Sequence, residues 1–142
     1  GYNTQNLSSV SQAIIGGGNG ANAYADVVLK TSTSELWSDV NTGGAMRSTL
    51  TDSSGLITVA RTTSNLSKQY AKGVELPVIS GNTQAALNIP NVNLYLLGNN
   101  FGGLFNQSSN TLALSFIGSG AIDQTQFYTD VQTLGTTLGW AV

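Results

Sequence analysis

Acid–base chemistry in this 142-residue chain would fall to its seven Asp and Glu residues, because the sequence contains no His and no Cys. Missing His removes the commonest general base and the commonest transition-metal ligand. Ser-His-Asp and Cys-His catalysis and the usual structural zinc sites are therefore closed to this chain on its own. Glycoside hydrolysis needs only two carboxyl groups flanking a scissile bond. The pairs on offer are Glu35 with Asp39 and Asp123 with Asp130. On a strand, Glu35 and Asp39 share a face roughly 13 Å apart at about 3.3 Å per residue, too far for either hydrolytic mechanism. They read as solvated face residues, and a polysaccharide hydrolase using Glu35, Asp39 or Glu75 is the third-ranked reading. No catalytic residue is assigned.

Oxygen ligands for calcium could come from Asp39-Val40-Asn41, Asp52-Ser53-Ser54 or Asn99-Asn100. Turns are the commoner use of these residues, since Asp and Asn side chains bond the local backbone, so neither a metal nor a cofactor is expected. Gly16 to Gly20 is glycine-rich, yet it lacks the downstream Lys-Ser/Thr of a phosphate loop and does not open a helix. Asn-x-Ser triplets begin at Asn6, Asn65 and Asn106, which a chain rich in both residues produces by chance. For ligand contact the candidates are aromatic residues in or near loops, Trp37, Tyr70, Phe101 and Phe105, with the amides Asn99 and Asn100 beside them. Two such rings could flank a sugar; buried aromatics in a core or a subunit contact read the same way.

Positioning these residues falls to short β-branched and aromatic runs separated by Gly, Asn and Ser clusters, the pattern of an antiparallel all-β domain. Strands are expected at Val10 to Ile15, Tyr24 to Lys30, Glu35 to Val40, Met46 to Leu50, Leu56 to Arg61, Lys68 to Ala71 and Val74 to Ile79. Lys72-Gly73 reads as a tight hairpin turn. Pro77 has no backbone donor, which puts its strand at an edge or a bulge. Val92 to Gly98 is continuously apolar enough to be a central strand, and Leu112 to Ile117 is the last strand. After Gly118-Ser119-Gly120, Phe127, Val131, Leu134 and Leu138 fall on one helical stripe. Asp123 with Gln126 suggests a capping box and Gly139 a stop, so a helix is predicted over Asp123 to Leu138. Gly135 weakens it by about 1 kcal/mol relative to Ala. The expected core is Ile14, Val28, Leu36, Ile57, Val59, Leu94, Leu96, Leu114 and Phe116, with Phe127, Val131 and Leu134 docking from the helix.

Only 8% of residues are charged and the formal charge is −2, against about 25% charged in an average globular protein. Five Lys and Arg in no run leave no electrostatic footprint for nucleic acid. No apolar stretch approaches the roughly 20 residues that cross a bilayer, so no membrane insertion is expected. With 40% hydrophobic residues the chain has the apolar material for a core. It reads as one domain over 1–142, and the opening Gly1 suggests a C-terminal fragment of a longer polypeptide.

The order Gly55-Leu56-Ile57-Thr58-Val59-Ala60-Arg61-Thr62-Thr63-Ser64, then Lys68-Gln69-Tyr70-Ala71-Lys72-Gly73, resembles a passage of the laminin-G-like, concanavalin A-like jelly rolls of tailed-bacteriophage virion proteins. Asn93 to Asn100, Leu112 to Gly120 and the ending at Leu138-Gly139 are similar to that group's closing strands and helix. The likeness covers about Asp52 to Val142. It implies a two-sheet antiparallel β-sandwich with one C-terminal α-helix, on a fibre, needle, collar or capsid decoration. The implied role is a non-enzymatic virion domain presenting loops for host-surface attachment, with glycan as ligand, or for assembly with other virion subunits, including as a homotrimer. The alternative is a trimeric, tumour-necrosis-factor-like knob at the tip of a tail needle, a fold that ends on a strand. The acidic signature of the hydrolase members and the calcium-binding acidic cluster of the lectins have no counterpart here.

Overall fold

The computed structural model describes residues 2–3, 11–18, 24–30, 33–42, 44–87, 91–100, 104–105, 107–108, 112–118 and 122–140. The chain forms β1 (Tyr2–Asn3), β2 (Ser11–Gly18), β3 (Tyr24–Lys30), β4 (Glu35–Thr42), β5 (Met46–Thr49), β6 (Gly55–Thr63), β7 (Leu66–Ala71), β8 (Val74–Glu75), β9 (Val78–Ser80), β10 (Tyr95–Leu96), β11 (Asn99–Asn100), β12 (Leu104–Phe105), β13 (Leu112–Leu114) and α1 (Gln124–Leu138). They make two sheets. The larger runs β12-β11-β2-β3-β4-β5-β9 with β10 also on β2, and the smaller runs β13-β1-β6-β7-β8. All pairings are antiparallel except β11 with β2.

The sheets meet face to face around Ile14, Leu29 and Leu36 from the larger sheet, Ile57 from the smaller, and Leu50. Gln69 of β7 adds a polar tie: fully buried, it donates through Nε2 to Ser38 Oγ of β4 at 2.7 Å and to the Met46 carbonyl of β5 at 3.2 Å. Because side chains alternate along a strand, Leu56 faces away from Ile57, and there it packs with Val131, Phe127 and Tyr128 of α1. The helix thus packs on the outer face of the smaller sheet, and the first half of β6, Gly55 to Thr58, is buried on both sides. The architecture is a two-sheet antiparallel β-sandwich with one C-terminal helix.

The helix starts as its sequence dictates. Asp123 accepts the Gln126 backbone N–H at 2.9 Å, and Gly139 closes the far end at φ 73° with its N–H on the Gly135 and Thr136 carbonyls. The reciprocal half of the capping box is not made, because Gln126 Nε2 turns forward to Asp130 Oδ1 at 2.9 Å. Val131 and Gly135, one turn apart, are the buried residues of the helix. At the other end Lys72 and Gly73 both have positive φ, 51° and 78°, which a type I′ hairpin turn requires.

Several expectations are corrected. Val92 to Gly98 is no central strand: only Tyr95 and Leu96 pair, on β2, and Leu97 at φ 56° breaks the extended run. Leu94 and Leu96 are exposed, not core. The last strand stops at Leu114, and Phe116 is exposed, edge-on to Phe127 with ring centroids 4.8 Å apart. Val59 is half-buried and Leu134 is exposed. Val28 is buried as expected, but it lies opposite Trp37, on the face of its sheet away from the core cluster. Val74 to Ile79 is split at Leu76-Pro77, where the chain leaves the smaller sheet for the edge of the larger. Gly16 to Gly18 belongs to β2, and a Cβ at Gly17 would meet the Asn93 carbonyl and the Val92 and Leu94 side chains at 3.1 Å. Leu114 lies in β13, its side chain outside the described set.

Candidate functional site

Antiparallel register fixes which side chains meet on the outer face of the larger sheet. Glu35 is opposite Thr49 and Trp37 opposite Arg47. Arg47 forks onto Glu35, Nη2 to Oε1 at 2.8 Å and Nε to Oε2 at 3.2 Å, while its guanidinium carbon lies 4.8 Å from the centre of the Trp37 ring. The indole N–H donates to Glu35 Oε2 at 2.5 Å. Hydrogen bonds from Arg47 and then Trp37 hold the Glu35 carboxyl below its ordinary pKa, against the opposing effect of burial. A carboxylate so engaged is an ionised acceptor and a poor proton donor. Its arrangement holds a half-buried indole and a guanidinium in one fixed stack.

The other aromatic and amide candidates lie elsewhere. Asn99 and Asn100 are on β11, and Phe105, opposite Asn99, is on β12, so their backbones adjoin. Asn100 Nδ2 donates to the Asn93 carbonyl at 2.9 Å, a local structural use. In the sheet order, β11 is separated from β4 by β2 and β3, which puts Asn100 three strand spacings, about 14 Å, from Trp37's strand. Tyr70 is half-buried on β7 of the smaller sheet, opposite Thr58 and Glu75. Phe101 lies outside the described residues, as do the side chains of Asn99 and Phe105. Among the described side chains, Trp37, Tyr70 and Asn100 stand on separate strands and do not converge on one groove.

The acidic residues are similarly dispersed. Glu75 is in the smaller sheet, paired with Lys68 at 2.7 Å. Asp52 accepts the backbone N–H and the hydroxyl of Ser54 and pairs with Lys72 at 2.7 Å, the turn use of such a residue. Asp39 accepts from the Thr42 hydroxyl at 2.5 Å, and burial pushes its carboxyl up from the ordinary value. Its cross-strand partner is Asp26, also buried, a juxtaposition that neither residue's sequence neighbours announce. Among the described residues no group of three or more metal-ligating side chains forms.

A cavity of about 600 Å³ opens between the sheets at one end, within the size range of small-molecule sites. Val27 and Val40 of the larger sheet, Val59 and Arg61 of β6, Phe116, and Phe127 of the helix line it. Arg61 crosses between the sheets, Nη1 on the Val40 carbonyl at 2.9 Å and Nη2 on the Gln84 carbonyl at 2.6 Å. Thr58 Oγ1 and Gln124 Oε1 tie β6 to the helix start at 2.5 Å.

No protein-family model, curated protein or solved structure matches the chain. Sequence reasoning missed Arg47, the residue that organises the Trp37 site. Counting outward from the Asn41–Gly44 turn sets Ser48 opposite Trp37, one residue away from the register that the structure has, Trp37 with Arg47. The cavity had no local signal, since its walls come from both sheets, the segment after β13 and the helix.

Proposed function

We infer that this chain is a non-enzymatic structural domain of a phage virion, whose larger sheet presents the Trp37–Arg47–Glu35 cluster to a host-surface glycan. The observation that carries the reading is the fixed stack on an outer sheet face. A planar apolar ring suits the face of a sugar, and Arg47, about a third exposed, has N–H groups to direct at ring hydroxyls. Glu35 and Asp39 lie four residues apart on one strand and Glu75 is in the other sheet, so the three carboxyls of the hydrolase reading are spread over two sheets. The virion setting rests on the sequence likeness of Gly55 to Gly73 and of the chain's ending.

Titration of the domain against host polysaccharide, read by Trp fluorescence, tests the recognition role. Saturable binding lost in Trp37→Ala and Arg47→Ala supports it. No binding by wild type removes recognition and leaves a role in assembly with other virion subunits. The needle-knob alternative needs a terminal strand where α1 lies. A homotrimer remains a proposal of its own, to be read by sedimentation, with exposed Leu96, Leu104 and Ile117 as contact candidates.

A further inference from the structure

Glu35 uses all its acceptor capacity inside the Trp37 cluster. An ionised carboxylate has about four lone-pair sites on its two oxygens. Oε1 takes Arg47 Nη2 at 2.8 Å, and Oε2 takes Nη2 at 3.0 Å, Nε at 3.2 Å and the Trp37 indole N–H. Its side chain is 10% exposed against 36% for Arg47, so a molecule arriving from solvent meets the guanidinium first. Nε and Nη2 point at the carboxylate, and Nη1 makes no hydrogen bond among the described residues. The cluster therefore offers an approaching ligand donors and no acceptor.

Charge on this face is arranged against an anion. Because side chains alternate along a strand, Asp39 shares its face with Trp37, and the register puts Asp26 opposite Asp39 and Lys30 opposite Glu35. Three carboxyl groups, of Asp26, Glu35 and Asp39, thus share this face with two cationic residues, Lys30 and Arg47. A uronate or sulfated sugar would have to compete with Glu35 for a guanidinium whose charge is already compensated. An amino sugar would bring ammonium donors to Nη1, which is itself a donor. A neutral hydroxyl oxygen accepts from Nη1 and carries no charge to be balanced.

We propose that the Trp37 cluster selects uncharged sugars, with Arg47 Nη1 donating to ring hydroxyl oxygens, and that Glu35 sets this selectivity by compensating the Arg47 charge. This inference rests on the sugar-binding reading and adds to it the class of sugar and the residue that chooses it.

The whole chain is titrated, with Trp fluorescence as the readout, against neutral hexasaccharides of glucose, mannose and galactose and against the same oligomers oxidised at the primary alcohol to uronates. A neutral member should bind about tenfold more tightly than its uronate. Raising salt from about 20 to about 500 mM should change that affinity less than about twofold, since no ion pair forms with the ligand. Glu35→Gln keeps the length of the side chain and releases the guanidinium charge, so the uronate should gain on the neutral sugar by about tenfold. Should that variant fail to fold, the affinity ratio and the salt series of the wild type still decide. A wild type that binds a uronate at least as tightly as its neutral partner overturns the proposal and leaves sugar recognition standing. So does neutral-sugar binding that weakens steeply with salt. An unchanged ratio in a folded Glu35→Gln overturns the role given to Glu35. Binding of no sugar, charged or neutral, removes the recognition reading and this inference with it.

Discussion

Replacing Gln69 by Leu isolates the polar tie between the sheets. The amide lies in the interior at 0% exposure and donates to Ser38 Oγ and to the Met46 carbonyl, while its own Oε1 has no partner among the described residues. Leucine removes both bonds, at about 1 kcal/mol each, and leaves the Met46 carbonyl short of a donor, a further cost of about 1–3 kcal/mol. It also removes the unpartnered Oε1, which returns about 1–2 kcal/mol on the same scale. The balance is a loss of about 1–4 kcal/mol. At roughly 3–5 °C per kcal/mol for a domain of this size, the thermal midpoint should fall by about 3–20 °C, and the urea midpoint should fall with m unchanged. In Gln69→Leu with Ser38→Ala the hydroxyl no longer goes unpaired, so the double variant should lose less than the sum of the singles. A Gln69→Leu domain as stable as wild type would refute the reasoning, showing that the unpartnered oxygen costs as much as the two bonds contribute.

Other perturbations test the remaining contacts. Asp52 is held down to about 2 from 3.8, first by Lys72 and then by Ser54, so its contribution is present above about pH 4 and lost as pH falls toward 2; the thermal midpoint of Asp52→Asn should fall less steeply across that window. Gly73→Ala should cost about 1–3 kcal/mol, because φ is 78° and a Cβ would lie 3.0 Å from the Gln124 carbonyl oxygen; urea unfolding reads it. Phe127→Ala should cost about 2 kcal/mol, below the roughly 3–5 kcal/mol of a fully buried ring, since the ring is half-buried. An unchanged midpoint there would mean that the helix does not dock through it.

Legibility in the sequence followed the strength of alternation. Tyr24 to Lys30 forms β3 as predicted because each face has its own chemistry, and the helix was readable from its stripe and its Asp123 and Gly139 ends. Val92 to Gly98 failed because a continuous apolar run marks no face, and the left-handed turn at Leu97 is conformationally unusual for Leu and has no residue signal. Leu134 shares the stripe yet lies exposed, since periodicity gives direction but not how far the covering sheet extends. The aromatic and amide candidates were grouped by residue type alone. The separation of Trp37, Tyr70 and Asn100 depends on strand order, and strand order is set by pairings between residues far apart in the chain.

The helix carries four threonine hydroxyls bonded back to the preceding turn: Thr129 to the Thr125 carbonyl, Thr133 to Thr129, Thr136 to Gln132 and Thr137 to Thr133, at 2.9–3.1 Å. Each donates its only proton inward, so the methyl groups and acceptor lone pairs are what remains for the solvent side. Such back-bonding tends to bend a helix slightly, which would let α1 follow the twist of the sheet beneath it. No acidic residue lies in its first turn and no basic residue in its last. The threonine-bearing flank of α1 therefore keeps its hydration by neutral oxygens, and changes in ionic strength should leave its wetting nearly untouched.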